Sequence, residues 1–385
     1  MGKVQIMKKY VVISGFNVHS ANRGNAALAY GTIGFLECKG LLQEGQEIVR
    51  FELYTNPFRK GKRFITEEVL INGKKWKYHR IPLCRLEQII IKFGLILPFT
   101  RVGKVVRNIE YEASDYGGDG FSDIYGDKAF LSRMSQTFLL WKAKVPLFML
   151  PQTIGPFSKA ANRLIAEKVL RHAAKIYVRD DNYINELKTL HVNYERAKDL
   201  SSYMHPEKWN VEIIPKSIGL NVSGLAYSNN YHGLEGHFEN YPLLINRIIE
   251  YFQDKGHHVY LIPHSYNYNN PVPYNDDMIA CREIYQNALN KNGLHLVDKD
   301  LTSPQVKYLI SQMFLFIGTR MHANFAAIYT NTPVFGLAYS YKFKGGFDAN
   351  GLDGDKQTAL IKDMNAEQVE MVLNKITLYY NQIYC

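Results

Sequence analysis

The stretch Phe314–Ala338, FLFIGTRMHANFAAIYTNTPVFGLA, decides the fold. Phe314–Ile317 is a short apolar run that fits a buried strand, Arg320–Tyr329 reads as a helix, and Pro333–Ala338 reads as a strand again. Strand, helix and strand in such quick succession are the repeating unit of a parallel sheet with helices on its faces. The pattern extends toward the N-terminus. Ser217–Val222 and Val259–Pro263 fit strands, Gln305–Gln312 fits a helix, and Tyr241–Lys255 carries Leu243, Leu244, Ile248 and Phe252 at helical spacing. Toward the C-terminus a last helix starts at Asn365, with Val369, Val372, Leu373, Ile376, Tyr380 and Ile383 as its buried stripe.

The first half alternates in the same way. Tyr10–Gly15 is a buried strand, followed by the loop Phe16–Asn25 and a helix over Ala26–Cys38. Ile48–Tyr54 is a second strand, and Val69–Tyr78 fits a hairpin turning at Asn72-Gly73. Val145–Leu150 is a strand, Ser158 caps a helix reaching about residue 174, and Ile176–Val178 is a strand ending at Arg179-Asp180-Asp181. The fold expected is α/β, with two Rossmann-like domains at 1–210 and 216–364 and a C-terminal helix at 365–385. The domains are expected to face each other across a cleft, with ligands at the carboxyl ends of the strands.

Composition narrows the function. The chain has 385 residues, 46% of them hydrophobic, which suits packed domains rather than disorder. A formal net charge of +10 favours anionic partners such as phosphorylated small molecules or anionic lipid. No nucleic-acid-binding signature is present. Cys38, Cys84, Cys281 and Cys385 have neither metal-site nor disulfide-framework spacing, so no metal is expected. No run reaches the roughly 18 apolar residues of a membrane span, and no signal peptide is read at the N-terminus, so a cytoplasmic protein is expected. Arg85–Arg107, RLEQIIIKFGLILPFTRVGKVVR, has two readings. It is an interfacial segment for an anionic lipid surface, or a core helix broken near Gly94 and Pro98.

The sharpest chemical motif lies at the end of the Phe314–Ile317 strand. Gly318 closes it, Thr319 is placed to cap the next helix, and Arg320 and His322 fall in the first turn. A helix N-terminus already carries partial positive charge, so two further cations there are favoured only when an anion binds. The alternative is that Arg320 pairs with a carboxylate and His322 is a satisfied core histidine. Lys342 and Lys344 fall in the loop after Pro333–Ala338. If that strand neighbours Phe314–Ile317, Lys342 reaches the same pocket, and three cations suit a phosphate plus a carboxylate. Further candidates are Asn22, Arg23 and Asn25 in the first loop, and Asp119, Ser122 and Asp123 in the glycine-rich turn Asp115–Gly126. Each can bind a ligand or only close a turn. Arg163 and Arg179 are cationic candidates in the N-terminal half, although Glu167 stands four residues after Arg163 as a surface partner. His257, His258 and His264 lack metal spacing and read as structural.

With these residues in hand, the chain resembles the polysaccharide pyruvyl transferase family over most of its length. The resemblance rests on NRGNAAL, GGDGFSD at 117–123, PQTIGP at 151–156, IGLNVS at 218–223, LIPH at 261–264, and GTRMHA at 318–323 with its trailing YSYKFKG. It implies a two-domain, GT-B-like architecture and a transferase that uses phosphoenolpyruvate as co-substrate, with no other cofactor. Pyruvate would be joined as a cyclic ketal to two hydroxyls of a sugar in a capsular polysaccharide, an exopolysaccharide or a lipid-diphosphate-linked precursor. By carry-over, Arg320, His322 and Lys342 would hold or activate phosphoenolpyruvate, joined by either Arg163 or Arg179. Asn25 stands where many relatives have aspartate, which weighs against acid–base work in that loop. The general base is open among Asp119, Asp123, Asp180 and Glu235. A lipid-linked acceptor would suit a protein peripheral to the inner membrane surface. Two rival readings are a nucleotide-sugar-dependent GT-B glycosyltransferase and a non-catalytic glycan- or membrane-surface-binding protein.

Overall fold

The computed structural model describes residues 8–181, 184–340 and 342–384, with the backbone alone for Lys342. The chain forms two compact units. One runs up to Phe16 and then from Leu28 to Met204; the other holds Asn17–Ala27 and the chain from His205 onward. The assignment of Asn17–Ala27 differs from the expected division at 210–216. Its cause is Arg23, whose guanidinium donates to the carbonyls of Ser20, Ala21 and Leu301 and to Asp300 at 2.7 Å, and stacks over the Tyr266 ring.

The first unit is built on an eight-stranded sheet. Its strands are β1 (Tyr10–Ser14), β2 (Glu47–Leu53), β3 (Ile65–Ile71), β4 (Lys74–Leu83), β5 (Ile109–Ser114), β6 (Leu147–Gln152), β7 (Ala173–Val178) and β8 (Glu195–Arg196). The order is β3-β4-β2-β1-β5-β6-β7-β8, and every pairing is parallel except β3 with β4. The exception is the expected hairpin, where Asn72 and Gly73 both take positive φ, the geometry of a two-residue turn that matches strand twist. Val12, Val49, Ile109 and Leu140 belong to one apolar cluster of this unit, and Phe130, Met149, Val169 and Ile176 to another.

Some local expectations give way to tertiary partners. Ser158 does not cap the helix Ala160–His172; it donates to Asp123, which also accepts the N–H groups of Ser158 and Lys159. The helix Asp127–Lys142 was not read from the sequence. It buries Gln136 and Thr137 beside Phe130 and Met134, so its buried face is not a clean apolar stripe. The segment Arg85–Arg107 is two helices, Arg85–Lys92 and Arg101–Arg107, interrupted at Gly94 and Pro98 as the broken-helix reading required.

The second unit holds a six-stranded, all-parallel sheet: β9 (Ile218–Asn221), β10 (Val259–Leu261), β11 (Leu294–Leu296), β12 (Leu315–Gly318), β13 (Val334–Ala338) and β14 (Thr358–Leu360). The order β11-β10-β9-β12-β13-β14 is that of a doubly wound nucleotide-binding fold. Its direction of winding reverses between β9 and β12, and ligands of such sheets bind outside the carboxyl ends at that reversal. The helix Ala366–Tyr384 packs Val369, Val372, Leu373, Ile376 and Tyr380 into the core of this unit.

Candidate active site

At the reversal, Asn221 ends β9, Thr319 and Arg320 follow β12, and His322 lies in the first turn of the next helix. Arg320, rather than Thr319, is the residue that precedes the helix Met321–Ile328. The Thr319 hydroxyl instead lies 2.7 Å from the phenol oxygen of Tyr241, deep in the core. Asn221 fixes the turn: its Oδ1 accepts the Arg320 N–H at 2.8 Å and its Nδ2 donates to the Ile262 carbonyl.

The Arg320 guanidinium is anchored by Asp277, the first residue of the helix Asp277–Asn287. Nη2 donates to Asp277 Oδ1 at 2.7 Å and to Asn275 Oδ1 at 2.8 Å, while Nε donates to Asp277 Oδ1 at 3.1 Å. Asp277 is wholly buried and also accepts the N–H groups of Gly224, His264 and Ser265. The carboxylate reading of Arg320 is thus part of the answer. The same pairing leaves Nη1 with no hydrogen bond among the described residues and fixes the plane of the guanidinium.

His322 sits in the first turn of its helix, edge-on to Phe325, and packs against the start of the helix Arg23–Cys38. A Cβ on Gly24 would come within 2.7 Å of His322 Nδ1, so only glycine lets the backbone approach the imidazole this closely. Asn22 holds that turn by accepting the Gly24 N–H at 2.9 Å. Arg23 is committed to the carbonyls of Ser20, Ala21, Tyr266 and Leu301 and to Asp300, and Asn25 is exposed.

His264, just beyond β10, completes the cluster. It is buried, its backbone N–H goes to Asp277, and its Nδ1 has no hydrogen-bond partner among the described residues. Burial, and then the charges of His322, Arg320 and Arg23, hold its imidazole well below the ordinary histidine range, so it is neutral. The three histidines read together as structural therefore divide. His257 bonds the Lys216 carbonyl and the Tyr380 hydroxyl, His258 bonds His295, and only His264 joins Arg320 and His322. Gly24 and Asp277 were not singled out in the sequence, and His264 was read there as structural, although NRGN contains Gly24 and LIPH contains His264.

Lys342 does not fall in a loop; it opens the helix Lys342–Asp348 after β13, and its side chain lies outside the described residues. The expected adjacency of its strand holds, since β13 pairs with β12. Lys344 is exposed to Asp355, at 2.7 Å.

In the first unit, Arg179 lies at the end of β7 with Nη1 2.7 Å from Asp199 and Nε 3.2 Å from the Thr153 hydroxyl. Gly118 makes room for it, as a Cβ there would meet Nη1 at 2.9 Å. Asp115, at the end of β5, is pushed up to about 6 by burial and by the nearby Asp199. Asp119 accepts from Tyr125, and Asp180 accepts from Thr153. Ser122 donates to the Asp119 carbonyl, and Asp123 ties down the turn before the helix Ala160–His172; burial would raise the Asp123 carboxyl, but bonds from Ser158, Asn162 and Lys159 hold it low. Arg163 points to Glu186, at 2.8 Å, and Glu167 on the outer side of its helix. Glu235 closes its own turn through the Gly233 N–H. Among the described residues no group of three or more His, Cys, Asp or Glu is arranged to hold a metal ion.

The family model described as polysaccharide pyruvyl transferase matches residues 22–341. The amylovoran biosynthesis protein AmsJ of Erwinia amylovora is 21% identical over 250 residues, 61% of this chain and 58% of that protein. The match thus spans little more than half of that relative. Among solved structures, the UDP-GlcNAc 2-epimerase of Methanocaldococcus jannaschii is similar with a TM-score of 0.48 at 9% identity, covering 96% of this chain and 99% of that one. The ADP-heptose lipopolysaccharide heptosyltransferase II of E. coli gives 0.46 at 12% identity, covering 98% and 100%. These likenesses add nothing to the architecture that the two sheets themselves give.

Proposed function

The chain belongs to the polysaccharide pyruvyl transferase family, and on that premise we propose that it transfers pyruvate from phosphoenolpyruvate to two hydroxyls of one sugar in a surface polysaccharide or its precursor. The observation that carries this reading is the convergence of Arg320, His322 and His264 with a helix N-terminus at the reversal point of a doubly wound sheet. Such a place suits a small, highly charged anion.

Arg320, with Nη1 left over, would bind the phosphate or carboxylate of phosphoenolpyruvate, and Lys342 would add a second cation. His322 would donate a proton to the methylene carbon, making the methyl group of pyruvate and an oxocarbenium-like centre at C2. One sugar hydroxyl forms a C–O bond to C2 as a base takes its proton. The C2–phosphate bond then breaks, phosphate leaves with its electron pair, and the second hydroxyl closes the ketal as it loses its proton. Neutral His264 offers Nδ1 as a fixed polar contact within the site. Arg179, rather than the surface-paired Arg163, is assigned as the first-unit arginine of the reaction, with Asp119 and Asp180 as acceptor-side carboxylates.

Binding separates this reading from a nucleotide-sugar enzyme. Calorimetry should show phosphoenolpyruvate binding that is lost in Arg320→Ala, and no binding of UDP. Tight UDP binding without phosphoenolpyruvate binding would reverse the assignment.

A further inference from the structure

The helix Arg85–Lys92 buries Ile91 in the core but leaves other apolar side chains outside. It buries polar Gln88, whose Nε2 donates to the carbonyls of Leu83 at 2.8 Å and Tyr54 at 2.9 Å. Its apolar Leu86 and Ile89 face solvent. The turn that follows exposes Phe93 (78%), Leu95 (58%) and Phe99 (75%), and Phe58 (66%) stands on the neighbouring loop. That loop is tied to the helix by Arg85 N–H to Asn56, Leu86 N–H to Pro57 and the Arg59–Glu87 ion pair. Aromatic and aliphatic side chains exposed to this degree, close together, are rare on a surface that meets only water.

The patch is held in shape rather than loose. Gly94 and Leu95 donate back to Ile91 and Ile90, and Thr100 bonds both the Leu97 carbonyl and the Gly103 N–H. Its rim is cationic. Lys60, Lys62 and Arg63 are exposed on the adjoining loop, and Arg85, Lys92 and Lys104 on the two helices. Glu87, the one carboxylate between residues 85 and 107, is already paired with Arg59.

Apolar side chains aimed outward beside cations that have no ion pair among the described residues match one occupant, the interface of an anionic bilayer. A protein partner would have to supply both an apolar face and a surrounding acidic ring, whereas anionic lipid supplies both in one surface. We propose that Phe58, Leu86, Ile89, Phe93, Leu95 and Phe99 insert at the headgroup level of an anionic membrane, with the surrounding Lys and Arg on its phosphates. Among the described residues no helix is long and apolar enough to cross a membrane, so the contact is one of lying on the surface. This proposal stands apart from the pyruvyl-transfer reading and is tested without any turnover.

The test is flotation of the full chain with vesicles of phosphatidylcholine alone or with phosphatidylglycerol added, at low and high salt. Binding is expected to the mixed vesicles only and to weaken with salt. Each basic residue near an anionic surface contributes about fivefold in partition, so K92E/K104E should lose roughly 25-fold or more. F93S/F99S should lose about tenfold or more at unchanged charge. Circular dichroism melting of both variants should match the parent, since none of the four side chains is buried. Equal binding to neutral vesicles, or mixed-vesicle binding unaffected by both variants, would overturn the proposal. So would light scattering that shows a dimer dissolved by F93S/F99S and no vesicle binding, because the patch would then be a contact between copies.

Discussion

The imidazole of His322 lies against Gly24, with Nδ1 2.7 Å from the point where a Cβ would stand. Two residues about three hundred positions apart in sequence are thereby fitted to each other, the first at the start of the helix Arg23–Cys38 and the second at the start of Met321–Ile328.

Gly24→Ala should therefore separate stability from activity. Alanine is the better helix former by about 1 kcal/mol, so the melting temperature should change little. The imidazole must move aside, and a displacement of that order at a reacting group costs about 10- to 100-fold in rate. Thermal melts together with turnover on phosphoenolpyruvate check this. A variant of full activity would remove His322 from the chemistry.

Asp277 should behave as the support of Arg320. Asp277→Asn leaves the guanidinium without its buried counter-charge and is expected to cost about 3 kcal/mol in urea denaturation. Combined with Arg320→Ala, the loss should be clearly less than the sum of the single losses, since both act through one contact.

His264 predicts an acid limb. Its folded-state pKa is depressed below the unfolded value, so the unfolded chain binds the extra proton. The stability it contributes is complete above about pH 6.5, the unfolded histidine value, and is lost progressively as the pH falls below that. His264→Phe should flatten the change in urea midpoint between pH 7.5 and 5. An unchanged slope would mean that other groups cause it.

The two arginines of the first unit should differ sharply. Arg163 makes exposed ion pairs, and Arg163→Ala should cost about 0.5 kcal/mol and leave turnover intact. Arg179→Ala strands the buried Asp199 and should cost about 3 kcal/mol, with loss of turnover in the fraction that remains folded.

Much of the scaffold was legible because its signals are local. The Asn72-Gly73 turn specifies its hairpin by backbone conformation alone, and apolar runs such as Val334–Ala338 leave no option but a buried parallel strand. The site was legible only where one segment carries it, as in Gly318–His322. What failed to show depends on distant partners. Asp277 opens its helix, a place that favours an acid anyway, and nothing local reveals that it holds Arg320, 43 residues away. Asp123 likewise draws the Ser158 hydroxyl away from the expected cap from 35 residues off. His264 shares a segment with two histidines that point elsewhere, so its role follows from the order of the strands and not from spacing.

The central claim is tested most directly by phosphate release from phosphoenolpyruvate, with and without a panel of lipid-linked and free glycan acceptors, for the parent and His322→Ala. The account predicts release that needs an acceptor, yields a pyruvate ketal detectable by mass, and disappears in His322→Ala. Acceptor-dependent release that persists in His322→Ala at the parent rate would contradict it.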